Sequence, residues 1–264
     1  RLPSATPRVL MLLHGLCMND LQWQRDGHDL GQTLAQEAGY TPVYLHYNTG
    51  LHIADNGQQL AALLQRLIQA WPVPIARLVL LGHSMGGLVA RSALHCAASQ
   101  PDLRWPALVS DLVCLGTPHL GAPLERLGHA VDHVLSATPY AAPFARLGTL
   151  RSAGITDLRH GSITAPTVDG AHPTVPLPSS VRCYALAAHL GPATDDLKSR
   201  LLGDGLVPVS SALGQNRDPS KRLHFPPEHQ AVVAETGHQE LLASEGVAGR
   251  VVGWLWSTQG TSAK

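Results

Sequence analysis

The chain has 264 residues, 44% hydrophobic and only 14% charged, and its 19 basic and 19 acidic side chains cancel to zero formal net charge. With no block of like charge, the electrostatic basis for tight binding to nucleic acid or an anionic membrane is missing. The length suits one domain spanning 1–264 with a sizeable core, and the expected partner is a neutral or apolar small molecule.

Cys17, Cys96, Cys114 and Cys183 are far apart and form no CxxC pair, so no structural zinc site is expected. Cys114 and Cys183 fall inside apolar runs and read as buried free thiols, with one disulfide left open. The opening RLPSATPR has no initiator Met and no basic-then-apolar signal region, and no apolar run is long enough to cross a membrane. The expectation is a soluble protein, with the cytoplasm favoured and secretion left open should a leader have been removed. No motif fixes an oligomeric state.

Apolar and amphipathic runs alternate, which predicts crossover connections and a mainly parallel α/β sheet of about six strands flanked by helices. Val9–Leu13 (VLMLL) reads as a buried strand ending at His14-Gly15, and Leu21–Ala38 as a helix stopped by Gly39. Thr41–Tyr47 alternates as a second strand. Leu60, Leu63, Leu64, Leu67, Ile68 and Trp71 follow at helical spacing, with Asp55 or Asn56 as a cap and Pro72 as a stop. Leu78–Leu81 is the third strand and Met85–Ala98 its helix, in which Ala90, Ala93 and Ala97 allow close approach to the sheet. Leu108–Leu115 is the fourth strand. The pattern then loosens, and residues 121–180, ending in the Pro-rich TAPTVDGAHPTVPLPSS, are expected to form a lid-like insertion within the domain. Val181–Ala187 and the short Ala231–Ala234 supply the last strands. A final helix carries Leu241, Leu242, Val247, Val251, Val252 and Leu255 on one side.

Between the third strand and its helix stands Gly82-His83-Ser84-Met85-Gly86-Gly87. A serine hydroxyl is a poor nucleophile until a base takes its proton, and a carboxylate must hold that base in the right tautomer. Backbone donors must also face the developing oxyanion. In a strand–turn–helix elbow, glycines two before and two after the serine relieve crowding, and the helix N-terminus lies under the new charge. The motif therefore nominates Ser84 as nucleophile. The N–H of Met85 and that of Leu16, in the loop after the first strand, are the expected oxyanion donors, with His14 propping that loop. Chain order places an acid after the elbow and a histidine last. Asp204, between Gly203 and Gly205, is preferred over Asp195, Asp196 and Asp218. His238, between AVVAETG and the last helix, is preferred among fifteen histidines over His224 and His229, which precede the last strand. The reaction consumes a neutral imidazole, so activity should rise as pH climbs past about 6 to 7. Trp23 and Leu120, together with Leu51 and the stretch Val131–Leu135, are candidates to face an acyl pocket.

LLHGL, GHSMGGLVARSAL, GTPHLGAP, GDGLVPVSSALG and GHQELL together resemble the α/β-hydrolase superfamily of serine esterases and lipases, in particular bacterial lipase-like and GPI-inositol-deacylase-like hydrolases. The likeness runs from about Val9 to Trp256 and is weakest between Glu125 and Ser180. It implies Ser84, Asp204 and His238 as a triad, Leu16 and Met85 as oxyanion donors, and hydrolysis of a carboxylic ester, lipids among the substrates, through an acyl-enzyme without a cofactor. Lipases of this kind often carry calcium near the last loops; no pair of carboxylates beyond Asp204 would supply it, so no metal is expected. Deacylases of GPI anchors are membrane proteins, and without a spanning segment that specific activity is not expected here. Acyl transfer or thioester hydrolysis would use the same triad, and a non-catalytic binding protein is the contrasting reading. An epoxide or haloalkane hydrolase would need a carboxylate at the elbow.

Overall fold

The computed structural model describes residues 5–122, 152–167, 173–192 and 201–257. Strands β1 (Arg8–Leu13), β4 (Thr41–Leu45), β5 (Arg77–His83), β6 (Val109–Leu115), β7 (Arg182–Ala188) and β8 (Gln230–Val233) form one sheet in the order β4-β1-β5-β6-β7-β8. Every pairing in it is parallel. Helices cover both faces, so the central strands carry apolar residues without interruption. On β1, Val9, Met11 and Leu13 enter one core layer with Leu60, Leu64, Leu80 and Leu88. The alternate residues Leu10 and Leu12 enter the other with Leu30, Leu34, Leu81, Val247 and Val251.

The first layer is closed by α2 (Ile53–Ala70) and α3 (Met85–Ala98), the second by α1 (Leu30–Ala38) and α6 (Glu245–Ser257). Between β6 and β7 the described chain forms α4 (Ala153–His160), and the one-turn α5 (Val209–Ala212) precedes β8. Of the expected insertion at 121–180, residues 123–151, which contain Val131–Leu135, and 168–172 lie outside the described residues, as do Asp195 and Asp196.

Three helix expectations need correction. Leu21–Ala38 is not one helix: a 3-10 turn (Asp20–Trp23) and a hairpin of β2 (Gln24–Arg25) and β3 (His28–Asp29) come first. Asp26 and Gly27 take φ of 52° and 78°, a reversal that no helix tolerates, and Asp29 then caps α1 by accepting from the Gln32 N–H. Helix α2 begins at Ile53, with His52 at the cap position and Asp55 already inside the first turn. The terminal helix is two pieces, a 3-10 turn (Glu240–Leu242) followed by α6. All four cysteines are free.

At the N-terminal end of the strands, Asp111 is fully buried between two arginines. Arg77 donates to its Oδ2 at 2.7 Å and Arg182 to its Oδ1 at 2.9 Å, while the Ser110 hydroxyl donates to Oδ2 at 2.6 Å. The carboxylate ties β5, β6 and β7 together at the edge opposite the loops described next.

Candidate active site

In an open parallel sheet the loops at the carboxyl ends of the strands converge, and side chains placed there can meet. His14-Gly15 follows β1, Ser84 follows β5, Gly116 follows β6, and Gly237-His238 follow β8. Ser84 takes φ 54° and ψ −122°, a left-handed conformation that costs a non-glycine residue about 1–3 kcal/mol. The surroundings enforce it: its N–H donates to the Leu115 carbonyl at 2.8 Å, and its own carbonyl accepts from Gly87 N–H at 3.1 Å.

The glycines around Ser84 are there because three segments of backbone touch. A Cβ on Gly82 would overlap the backbone of Gly86 and Gly87, and one on Gly86 would overlap the Leu13 carbonyl at the end of β1. A Cβ on Gly15 would stand 3.1 Å from both Ser84 Cβ and His83 Nδ1. The loop after β1 is thus pressed onto the elbow, and His14 holds it there. Its Nδ1–H donates to the Gly15 carbonyl at 3.0 Å, its Nε2 accepts from the Tyr47 N–H at 3.4 Å, and its ring stacks on Tyr47 at 4.3 Å. The Tyr47 hydroxyl donates to the His14 carbonyl at 2.6 Å. Burial, the largest influence, takes the His14 pKa down to about 4, so the ring is neutral. Leu16 follows in the same loop. Met85 is the first residue of α3, where position alone leaves an N–H without an intrahelical acceptor.

Asp204 and His238 meet twice. His238 Nδ1 donates to Asp204 Oδ2 at 2.7 Å, and the His238 N–H donates to the Asp204 carbonyl at 3.0 Å. Asp204 Oδ1 accepts from the N–H groups of Val207 at 2.8 Å and Leu206 at 3.0 Å, in a turn where Gly203 and Gly205 both have positive φ. Burial works to raise the Asp204 pKa; the charge and hydrogen bond of His238 and the two N–H groups outweigh it and hold the carboxyl below its usual value. His238 Nε2 is buried and has no hydrogen-bond partner, the Ser84 hydroxyl included. The Leu115-Gly116 peptide lies between the groups. Leu115 binds Ser84 N–H, and a Cβ on Gly116 would stand 3.2 Å from both Asp204 Oδ2 and His238 Cε1.

The PGAP1-like alpha/beta domain family matches residues 5–176. The chain belongs to that family. No curated protein sequence matches it. This PGAP1-like domain has the α/β-hydrolase fold, shared with the mature lipase BlEst2 of Bacillus licheniformis at 20% identity and a TM-score of 0.60, covering 96% of this chain and 93% of that one. Lipase 1 of Pelosinus fermentans superimposes with a TM-score of 0.57 at 12% identity over 97% of this chain and 99% of that one. The NocB thioesterase domain does so with a TM-score of 0.53 at 15% identity over 98% and 97%. These identities speak to the fold alone.

The PGAP1-like domain also contains a residue that sequence reasoning passed over. His83, inside the elbow motif, donates from Nε2 to the His238 carbonyl at 2.9 Å, and its ring packs against that of His238 at 4.8 Å. Burial, reinforced by the adjacent His238, lowers its pKa to about 3, which keeps it a neutral brace. Of the other expected residues, Leu120 lines surface cavities together with Arg159 and Asn216. Trp23 is 1% exposed, in the core layer with Leu10 and Leu34. Asp218 is exposed and caps a 3-10 turn, and His229 packs on Tyr184 at 4.2 Å. Among the described residues no three His, Cys, Asp or Glu side chains are grouped to hold a metal, and no helix is long and apolar enough to cross a membrane.

Proposed function

We propose that this PGAP1-like domain is a serine carboxylic-ester hydrolase. Ser84 Oγ attacks the ester carbonyl while His238 Nε2 takes its proton, and Asp204 keeps the imidazole protonated at Nδ1 and stabilises its charge. The N–H groups of Met85 and Leu16 receive the tetrahedral oxyanion, at the positive end of α3. Collapse expels the alcohol, protonated by the imidazolium, and leaves an acyl-enzyme that water opens by the same steps. The observation that supports this reading is the Asp204–His238 pair at 2.7 Å with its far nitrogen buried and unbonded, together with a serine held in a strained turn. A base with an unspent lone pair, held by a buried carboxylate, is arranged to take a proton, and ordinary packing gives no reason to retain it.

A fluorophosphonate probe and a p-nitrophenyl ester series test the proposal. The wild type should label and hydrolyse esters, and Ser84→Ala should abolish labelling and lower kcat by about 10⁴-fold or more. A wild type that neither labels nor turns over any ester would overturn it in favour of a binding protein. The chain-length optimum of the series separates a short-acyl from a long-acyl substrate.

A further inference from the structure

Beside α3, on the far side of the loop that follows β6, the structure holds a cavity of about 400 Å³. Its wall includes Arg91, His119, Arg159, Ser162 and Lys221, and, among the described residues, no Asp or Glu. Arg91 lies six residues beyond Met85, roughly 9 Å along the helix at 1.5 Å per residue, so the cavity is displaced from Ser84. Arg91 is only 4% exposed. One of its terminal nitrogens donates to His119 Nδ1 at 3.2 Å and the other to the Val175 carbonyl at 2.6 Å, while its Nε–H has no partner. A guanidinium only donates, so His119 Nδ1 accepts and the ring proton sits on Nε2. That Nε2–H is also buried and unpaired, as is the Ser162 hydroxyl. Arg159 and Lys221 are exposed. Asp218, the carboxylate that feels Lys221, is held by the Ser220 hydroxyl and N–H and does not line the cavity.

Removing a guanidinium from water without a counter-charge is costly, and each buried donor left unpaired adds to that cost. Among the described residues, the groups acting on Arg91 through space are the thiols of Cys114 and Cys183, both pushed up to about 12 by burial and hence neutral. Among the described residues, this wall brings together a buried cation and three buried donors without partners and offers no anion. We propose that this cavity binds a phosphate group, through Arg91 Nε–H, His119 Nε2–H and the Ser162 hydroxyl, with Arg159 and Lys221 closing on the remaining charge. Phosphate fits better than carboxylate because three cationic side chains match a dianion, and its oxygens accept enough bonds for all three buried donors. The group is either free or carried on a lipid.

Isothermal titration of inorganic phosphate into the full chain in low-salt buffer tests this. The wild type should bind one phosphate, with sulfate competing and chloride not. Arg159→Gln and Ser162→Ala, which spare the Arg91 contacts, should each weaken binding about 3- to 10-fold, and Arg91→Gln should abolish it. Flotation with phosphatidylcholine vesicles, with and without phosphatidic acid, identifies the source: retention that requires phosphatidic acid and Arg159 assigns a lipid headgroup, and phosphate binding without retention assigns a free anion. No heat with phosphate and no selective retention would overturn the proposal, as would affinity unchanged in both Arg159→Gln and Ser162→Ala. The site does not rest on the hydrolytic reading. Ser84→Ala protein should bind phosphate like the wild type, and phosphate binding by a chain that hydrolyses nothing would refute that reading and leave this one.

Discussion

Asp204→Asn isolates the role of the carboxylate. Asp204 Oδ1 accepts from Val207 and Leu206 N–H groups and Oδ2 from His238 Nδ1. The introduced amide can keep the two loop bonds through its carbonyl, so the turn survives, but it then presents N–H to His238 where the carboxylate presented an acceptor. Two donors cannot share that position. His238 Nδ1 must become the acceptor, which moves the ring proton to Nε2 and removes the lone pair that the proposed reaction needs. Loss of the right tautomer and of the carboxylate charge is worth about 10⁴ in kcat, or about 5.4 kcal/mol at 1.36 kcal/mol per decade. Steady-state hydrolysis of p-nitrophenyl butyrate gives kcat, fluorophosphonate labelling reports serine activation, and circular dichroism checks the fold. We expect kcat and the labelling rate to fall together by 10³- to 10⁴-fold with Tm changed by a few degrees. A variant retaining more than a tenth of wild-type kcat, with the fold intact, would refute the tautomer argument.

Gly86→Ala forces a methyl into the Leu13 carbonyl; overpacking against backbone costs about 3 kcal/mol, roughly 6–12 °C in Tm for a chain of this size. An unchanged melting curve would mean that β1 and the elbow are not in contact. Asp111→Ala removes the buried carboxylate that Arg77, with an 11% exposed side chain, binds at 2.7 Å; the expected loss is about 3–5 kcal/mol by denaturant titration, with kcat unaffected below the melting transition because Asp111 is at the far end of the strands. Stability should also fall with acid. His14 and His83 have folded pKa values of about 4 and 3 against roughly 6.5 when unfolded, so below pH 6.5 the unfolded chain takes up protons that the native one refuses. Between pH 7 and 5 this costs on the order of 2 kcal/mol for each ring, and a Tm flat over that range would contradict their burial as neutral groups. The contribution of Asp204, whose folded pKa is also depressed, has the same sign in a more acidic window: it is present above about pH 4 and lost only as pH falls through its folded value.

The sheet was legible because its strands are buried on both faces and so read as solid apolar runs; VLMLL and LVLL could hardly be anything else. Helix starts were less so. Asp26-Gly27 carries a turn signal inside an otherwise helical stretch, and α2 begins at Ile53 with no side-chain cap to mark it. In the candidate site, Ser84 was readable from its glycines, and Asp204 from the two positive-φ glycines that allow its tight turn. His83 was not. A neutral histidine bracing a carbonyl 155 positions away looks, in sequence, like any of the others. Arg91 was hidden for a related reason: its partners, His119 and Val175, come from two different loops, and no local spacing joins them to α3.

The contact of Gly86 with Leu13, of Gly15 with Ser84 and of His83 with His238 couples the ends of β1, β5 and β8 into a single block. Such a block cannot be retuned one residue at a time, because a change in any part is transmitted to the other two. New substrate scope in this lineage, or in a laboratory selection, should therefore arise from exposed positions outside it, such as Arg159, Arg217 and Lys221, where a side chain can change in size and charge and leave that block undisturbed.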